Sequence, residues 1–135
     1  MEYFEHEIIE DISIESVKMV RITFIEAKLF WERLQTSIIP LYNKVIVDIS
    51  KCKFIDSAFM GVLVRIHRKL LKKGGELKLV VDDKQIERYF IIAEIDKIID
   101  TNISLAEAIN SFNKKDKVDN MVLFQQAMDV GNSPM

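Results

Sequence analysis

The chain has 135 residues, 49% of them hydrophobic and 30% charged, with a formal net charge of -2. That size suits one domain with a real core, the composition excludes a disordered chain, and the near-neutral balance supplies no general field for nucleic acid. A single cysteine, Cys52, cannot form an internal disulfide, no apolar run reaches the roughly 18 to 20 residues that span a bilayer, and the first residues are acidic where a signal peptide is basic, so a cytoplasmic protein is expected.

Residues 8–14 alternate imperfectly (Ile8, Ile9, Ile12 and Ile14 among Glu10, Asp11 and Ser13), which predicts an edge strand. Residues 17–24 alternate better, and a hairpin turn is expected between the two at Glu15 and Ser16. Residues 26–39 then place Leu29, Phe30, Arg33, Leu34, Ser37 and Ile38 at helical spacing, with Pro40 as terminator. Trp31 falls beside that stripe and reads as an anchor at the core edge.

Val45-Ile-Val-Asp-Ile49 is short, β-branched and unbroken, the signature of a strand buried on both faces. After Ser50 to Lys53, Phe54-Ile-Asp-Ser57 leads into a helical run over residues 58–73, stopped by Gly74-Gly75. Ser57 falls where a helix N-cap belongs. Arg65, Arg68, Lys69, Lys72 and Lys73 lie toward the other end, where the helix dipole favours positive charge.

Residues 76–81 form another strand, and Asp82 or Asp83 caps a helix over 84–94 with Ile86, Tyr89, Phe90 and Ala93 on one face. Residues 95–100 give a short final strand. Ser104-Leu-Ala-Glu107 is a capping box for a helix reaching about Phe112. The domain is thus expected over residues 1–112. Residues 113–135 read as an extension, with a polar linker at 113–117 and a weakly amphipathic segment over 118–128 carrying Met121, Val122, Phe124 and Met128. An extra helix packed on the domain, a partner-binding segment and a frayed end are the open readings of that tail. Alternating strands and helices imply an α/β fold, a mixed sheet with parallel core strands, right-handed crossovers and about four helices. Such crossovers carry the loop bearing Ser57 to the carboxyl end of a parallel strand, where α/β folds place sites.

Several residue types have both a structural and a functional reading. Asp56 either bonds local amides or orients the Ser57 hydroxyl toward a partner. Gly61 costs about 1 kcal/mol against alanine inside a helix, which implies close approach by a neighbouring element or a partner. Of Phe59 and Met60, one should face the core and the other a contact surface. His6 and His67 lack a ligand pattern, so no metal is expected. Gly74-Gly75 follows a helix, whereas a phosphate-binding loop precedes one, so no cofactor is expected. No catalytic constellation is visible.

Taken together, Val45-Ile-Val-Asp-Ile-Ser50, Phe54-Ile-Asp-Ser57, Gly61-Val-Leu63, Lys73-Gly-Gly-Glu-Leu-Lys-Leu-Val80 and Ser104-Leu-Ala-Glu-Ala-Ile109 resemble the STAS domain of anti-sigma factor antagonists (anti-anti-sigma factors) over roughly residues 10 to 112. The resemblance implies a STAS-like (SpoIIAA-like) single domain that is not an enzyme. It also implies that Ser57 is the phosphoacceptor of a partner kinase, an anti-sigma factor, with Asp56, Ala58, Phe59, Met60 and Gly61 contacting that partner. No direct nucleic-acid contact and no membrane insertion are implied. The chain departs from the family pattern in two places. It reads Asp56-Ser-Ala-Phe-Met-Gly61 where antagonists usually read Asp-Ser-Ser/Thr-Gly-Leu-Gly, and Phe24-Ile-Glu-Ala27 replaces a Gly-x-Leu/Ile-Asp segment. These departures suggest a divergent partner. They also keep open a second reading, a constitutive STAS-type adaptor for a transporter or signalling assembly in which Ser57 only caps its helix.

Overall fold

A computed structural model of the chain describes residues 3–131; Met1, Glu2 and residues 132–135, the end of the expected extension, lie outside the described residues. A left-handed Glu10 (φ 56°) reverses the chain between β1 (Phe4–Ile9) and β2 (Ile12–Val17), which pair antiparallel with Phe4 opposite Val17. The turn therefore falls inside the expected edge strand, and Glu15 and Ser16 lie within β2. Their polarity suggested a turn, yet β2 is an inner strand that pairs with β4 on its other side. Ser13 and Glu15 are fully buried there. The Glu15 carboxylate meets His6 Nδ1 at 3.0 Å and Arg33 Nε at 3.4 Å, so its charge is matched from two elements. Burial still pushes its pKa up, with Arg33 and His6 pulling against it.

The strand expected over 17–24 contracts to β3 (Arg21–Ile22). It leaves the main sheet and pairs parallel with β5 (Phe54–Ile55), Ile22 opposite Ile55. What cuts it short is a capping interaction readable in the sequence as Thr23-Phe-Ile-Glu26. Glu26 Oε2 accepts the Thr23 amide at 3.2 Å and its hydroxyl at 2.7 Å, so α1 (Phe24–Arg33) begins at once. One π-helical turn over Leu34–Ile38, closed by the Ile39 amide on Leu34 O, ends this helix. Its extra residue lets the sequence neighbours Ile38 and Ile39 both point into the core before Pro40.

β4 (Lys44–Asp48) runs parallel to β2 and to β6 (Glu76–Val80), and β7 (Asp100–Asn102) runs parallel to β6. The main sheet has the order β1-β2-β4-β6-β7. α1, α2 (Ser57–Lys72) and α3 (Lys84–Ile92) cover one face, and the first turns of α4 (Leu105–Gly131) cover the other. This is the α/β architecture that the alternation predicts, with four α-helices among the described residues where about four were expected. The strand expected at 95–100 is instead a 3-10 turn (Ile95–Lys97) entered through left-handed Glu94 (φ 59°). Buried Ile95 in the turn and buried Ile99 just after it stand four apart, a helical-turn spacing, and the strand follows.

α4 passes unbroken through residues 113–117, where a linker was expected. The stretch is polar, but it has no Gly or Pro to stop a helix. Ser104 Oγ accepts the Glu107 amide at 3.2 Å, one half of the expected capping box. Ala108 and Phe112 pack on Ile12, Ile14, Ile46 and Val80, whereas Met121, Val122, Phe124 and Met128 further along are exposed.

A buried lysine fastens α4 to the sheet. Lys78 Nζ donates to Ser111 Oγ at 2.8 Å and to Asp100 Oδ2 at 3.0 Å, and lies 4.8 Å over the Phe112 ring. Burial alone would raise the Asp100 pKa, but hydrogen bonds from Lys78, Asn102 and Ser111 outweigh it and hold the carboxyl below its ordinary value of 3.8. A carboxylate so depressed adds stability that is complete above the unfolded pKa and lost as pH falls through the folded one. Asp100→Ala should therefore cost about 1 kcal/mol at pH 7, allowing for solvent screening. In urea melts at stepped pH, the gap to the wild type should close below the ordinary carboxylate range.

At the end of α2, Gly74 adopts φ 80° and Gly75 N donates to Leu70 O at 2.8 Å, closing the helix. A Cβ on Gly75 would stand 2.3 Å from the Asn43 carbonyl oxygen. That same carbonyl accepts the Glu76 amide at 2.8 Å where β6 joins β4. Gly75→Ala should then destabilise the fold by about 1–3 kcal/mol, measured by thermal or urea unfolding, because backbone and not a flexible side chain must move.

Candidate functional site at the head of α2

Asp56, and not Ser57, is the N-cap of α2. The Asp56 backbone is extended (φ -99°, ψ 176°) and its Oδ1 accepts the Phe59 amide at 3.0 Å. Ser57 is the first helical residue, exposed, and its hydroxyl has no hydrogen-bond partner among the described residues. The sequence expectation that Ser57 caps the helix is thus corrected by one position. Asp56 reaches the amide three residues on, which a capping side chain must do, and Ser57 is left with no structural task. The first-turn amides of Ser57 and Ala58 have no partner inside the helix, so the position is electropositive.

The other residues of the motif separate by helical phase. Ala58 and Gly61 are exposed, and Met60 is partly buried against the core. Phe59 is fully buried, 5.6 Å from the Phe30 ring, which places it among the core residues Val62, Leu63, Ile66 and Leu70 of the same face. It does not reach the surface, so its expected partner contact does not stand. The ring that stands where the family pattern has a glycine fills the interior and leaves the outer face of the helix start open. Gly61 was expected to be approached closely by a neighbouring element or by a partner, and no neighbouring element of the chain does so, since a Cβ there would meet nothing within 4 Å. No element of this chain requires a glycine at that position.

Two residues that the sequence reading did not place at the site belong to it. Because β3 and β5 pair in parallel register, Thr23 and Asp56 head α1 and α2 side by side, and Phe24 and Ser57 open the two helices. Phe24 and Ile25 are 68% and 59% exposed, a large apolar surface for helix starts. The helices stay in contact further along, where Arg65 stacks 4.0 Å over the Trp31 ring. Trp31 is the core-edge anchor it was read to be, and it also holds a cation. The missed signal was the Thr23-x-x-Glu26 capping box, which moves Phe24 from a strand end, and Ile25 from the connection after it, to a helix start.

Two further side chains with reactive atoms, Cys52 and His67, are core residues. Cys52 is fully buried, and burial together with the Asp48 carboxylate pushes its thiol up to about 12, far from a nucleophile at neutral pH. Burial lowers the His67 pKa, and its Nδ1 accepts the Leu77 amide at 3.2 Å, making it a core residue that ties α2 to β6.

The family described as STAS domain matches residues 2–108. The chain belongs to the STAS domain family. Among curated proteins it is 30% identical over 74 residues to a Thermotoga maritima protein described as a "putative anti-sigma factor antagonist", covering 55% of this chain and 66% of that protein. A Thermotoga neapolitana homologue is 32% identical over 68 residues, 50% of this chain and 60% of the relative. The matches thus span somewhat less than two thirds of those relatives. A crystal structure of a Thermotoga maritima anti-sigma factor antagonist, likewise described as putative, superposes with a TM-score of 0.71 at 25% identity over 80% of this STAS chain and 92% of that one. SpoIIAA in its unphosphorylated form superposes at 0.70 with 15% identity over 82% and 96% of the two chains, which establishes the shared fold. Each of these relatives is described as an anti-sigma factor antagonist. Among the described residues no helix is long and apolar enough to cross a membrane.

Gly61→Ala isolates the exposed glycine of this STAS domain. With open space above it and an ordinary helical backbone, the substitution should stabilise the chain by about 0.5–1 kcal/mol in thermal or urea unfolding.

Proposed function

We propose that this STAS domain is a cytoplasmic regulatory protein of the anti-sigma factor antagonist type. It docks a serine-kinase anti-sigma factor at the paired helix starts of α1 and α2 and lets go when that kinase phosphorylates Ser57. The observation that carries the reading is the division of labour between Asp56 and Ser57. A serine before a helix is ordinarily explained as a cap, and here Asp56 already does that work, so the exposed Ser57 hydroxyl is spare.

The physical chemistry favours a switch that leaves the fold intact. A phosphate brings about -1.5 to -2 charges to a helix terminus whose dipole and free amides accept anions, so α2 tolerates it. The same charge adds to Asp56 at the head of the surface, next to Phe24 and Ile25, and turns a largely apolar docking site anionic. A partner that buries that apolar surface then has to desolvate a phosphate. SpoIIAA has been solved in a phosphorylated form; the likeness to it lies in the fold, so the weight here rests on the Ser57 geometry. The regulatory unit is the STAS domain over residues 1–112, with the rest of α4 as an extension of its last helix.

The test is incubation of the purified chain with candidate serine-kinase anti-sigma factors of its own organism and ATP, read by intact mass. The wild type should gain one phosphate and Ser57→Ala none. Ser57→Asp should lose the partner by at least about tenfold in a binding assay, since like charge at an interface costs several kcal/mol. No phosphate on the wild type, or undiminished labelling of Ser57→Ala, removes the proposal. Equal recovery of the partner by Ser57→Asp supports the constitutive adaptor instead.

A further inference from the structure

Charge along α2 is sharply one-sided. From Ser57 to Lys73 the helix and its C-cap carry no carboxylate, while Arg65, Arg68, Lys69 and Lys72 are all exposed. None of these four has a carboxylate within ion-pair distance among the described residues. The helix dipole explains only part of this. Its influence fades within the last turn, which holds Lys69 and Lys72 but not Arg65 and Arg68. Solvation asks for polarity and not for a single sign, and the chain as a whole carries -2.

Position adds to sign. Ser57, Gly61, Arg65, Arg68 and Lys72 recur at steps of four, four, three and four, so they form one exposed ridge about 22 Å long. Phe24, Lys28 and Trp31 of α1 share one side of that helix, at steps of four and three. The stack of Arg65 and Lys69 over the Trp31 ring, at 4.0 and 5.5 Å, identifies that side as the one facing α2. The two rows border a groove with an exposed aromatic and a bare glycine at its Ser57 end and a set of cations at the other. Gly61 lowers helix stability without any packing need inside the chain. The open volume above it is room for something laid across the ridge.

We infer that the partner lays an acidic amphipathic helix along the groove between α1 and α2. Its apolar residues seat over Phe24 and Gly61, and carboxylates at helical spacing face Arg65, Arg68, Lys69 and Lys72. This deepens the docking proposed above and rests on it for the Ser57 end. A groove with its apolar residue at one end and its cations along the other suits a helix better than a lipid surface, which needs apolar residues beneath the whole basic face. Single-stranded nucleic acid stacks successive bases on a series of free aromatic faces, and of the two aromatics bordering the groove Arg65 already covers Trp31, which leaves Phe24 without a second. Phosphorylated Ser57 would place like charge against the head of such a helix, while the cations at the far end still attract it.

The probe is a fluorescein-labelled synthetic helix with a leucine stripe flanked by glutamates, titrated against the full chain and read by anisotropy. The wild type should bind it, and should ignore the same peptide with lysines for glutamates. Arg68→Glu with Lys72→Glu should weaken binding by about tenfold or more. Lys28→Glu, on the other helix, should weaken it in the same direction, which guards against a folding defect in the α2 variant. Raising salt from about 50 to about 500 mM should weaken the wild type as well. Undiminished binding to both variants overturns the groove, as does capture of phosphatidylserine vesicles or a DNA single strand as tightly as the acidic helix. The two proposals fail separately. Loss of the charge effect with Ser57 still labelled by the kinase removes the groove alone, and an intact charge effect with Ser57 unlabelled removes the switch alone.

Discussion

Burial of β4 on both faces is the constraint from which the rest of the structure follows. Val45, Ile46 and Val47 are all completely buried, so apolar layers must lie above and below the sheet at this strand. Both flanking strands run parallel to it, and parallel neighbours cannot be joined by a tight turn. The chain must cross over a face and return, and each crossover delivers a helix start to the carboxyl edge of the sheet. α2 begins at that edge because β5, itself paired with β3, lies between β4 and the helix. The exposed hydroxyl at Ser57 is thus a consequence of topology before it is a matter of local sequence.

Polar groups inside the sheet obey a second rule, that each buried charge is met by partners from more than one element. Glu15 on β2 is faced by His6 from β1 and Arg33 from α1. Lys78 on β6 is faced by Asp100 from β7 and Ser111 from α4. Such groups add little net stability compared with apolar residues of the same size, but losing one partner leaves the other exposed to a low dielectric. They fix which strand lies beside which and which helix lies on which face. Only the correct arrangement brings the partners of both clusters together at once.

These same buried charges limited what could be read in advance. The β4–α2–β6 unit was legible because its strands are continuous apolar runs and its helix has a clean stripe with glycines to stop it. β2 was misread because Ser13 and Glu15 look like turn or surface residues until their partners are known, and those partners lie in β1 and α1. The true turn, at Glu10, has no glycine or asparagine to announce its left-handed backbone. β7 was placed too early because Ile95, Ile98 and Ile99 mark a helical turn whose length is too short for periodicity to show. α4 outran its predicted end because polarity alone does not break a helix. At the site, Asp56 and Ser57 are both good caps, and only the backbone geometry decides between them.

The position of Phe59 changes what its substitution means. In a motif where a glycine is usual, an aromatic side chain looks like an obstacle set in a partner's path. The helical phase set by the Asp56 cap turns it inward, against Phe30 of α1, while Ser57, Ala58 and Gly61 keep the outer face. The ring therefore packs the head of α2 against α1 and ties the two helices together through the core. A docking surface shared between two helices needs their relative position fixed before the partner arrives, because ordering them on binding would cost affinity. The same packing explains how charge could be added at Ser57 without disturbing the core. The residue that anchors this end of the helix lies two positions on and faces the opposite way, so the outer face can change its chemistry while the inner face holds the fold.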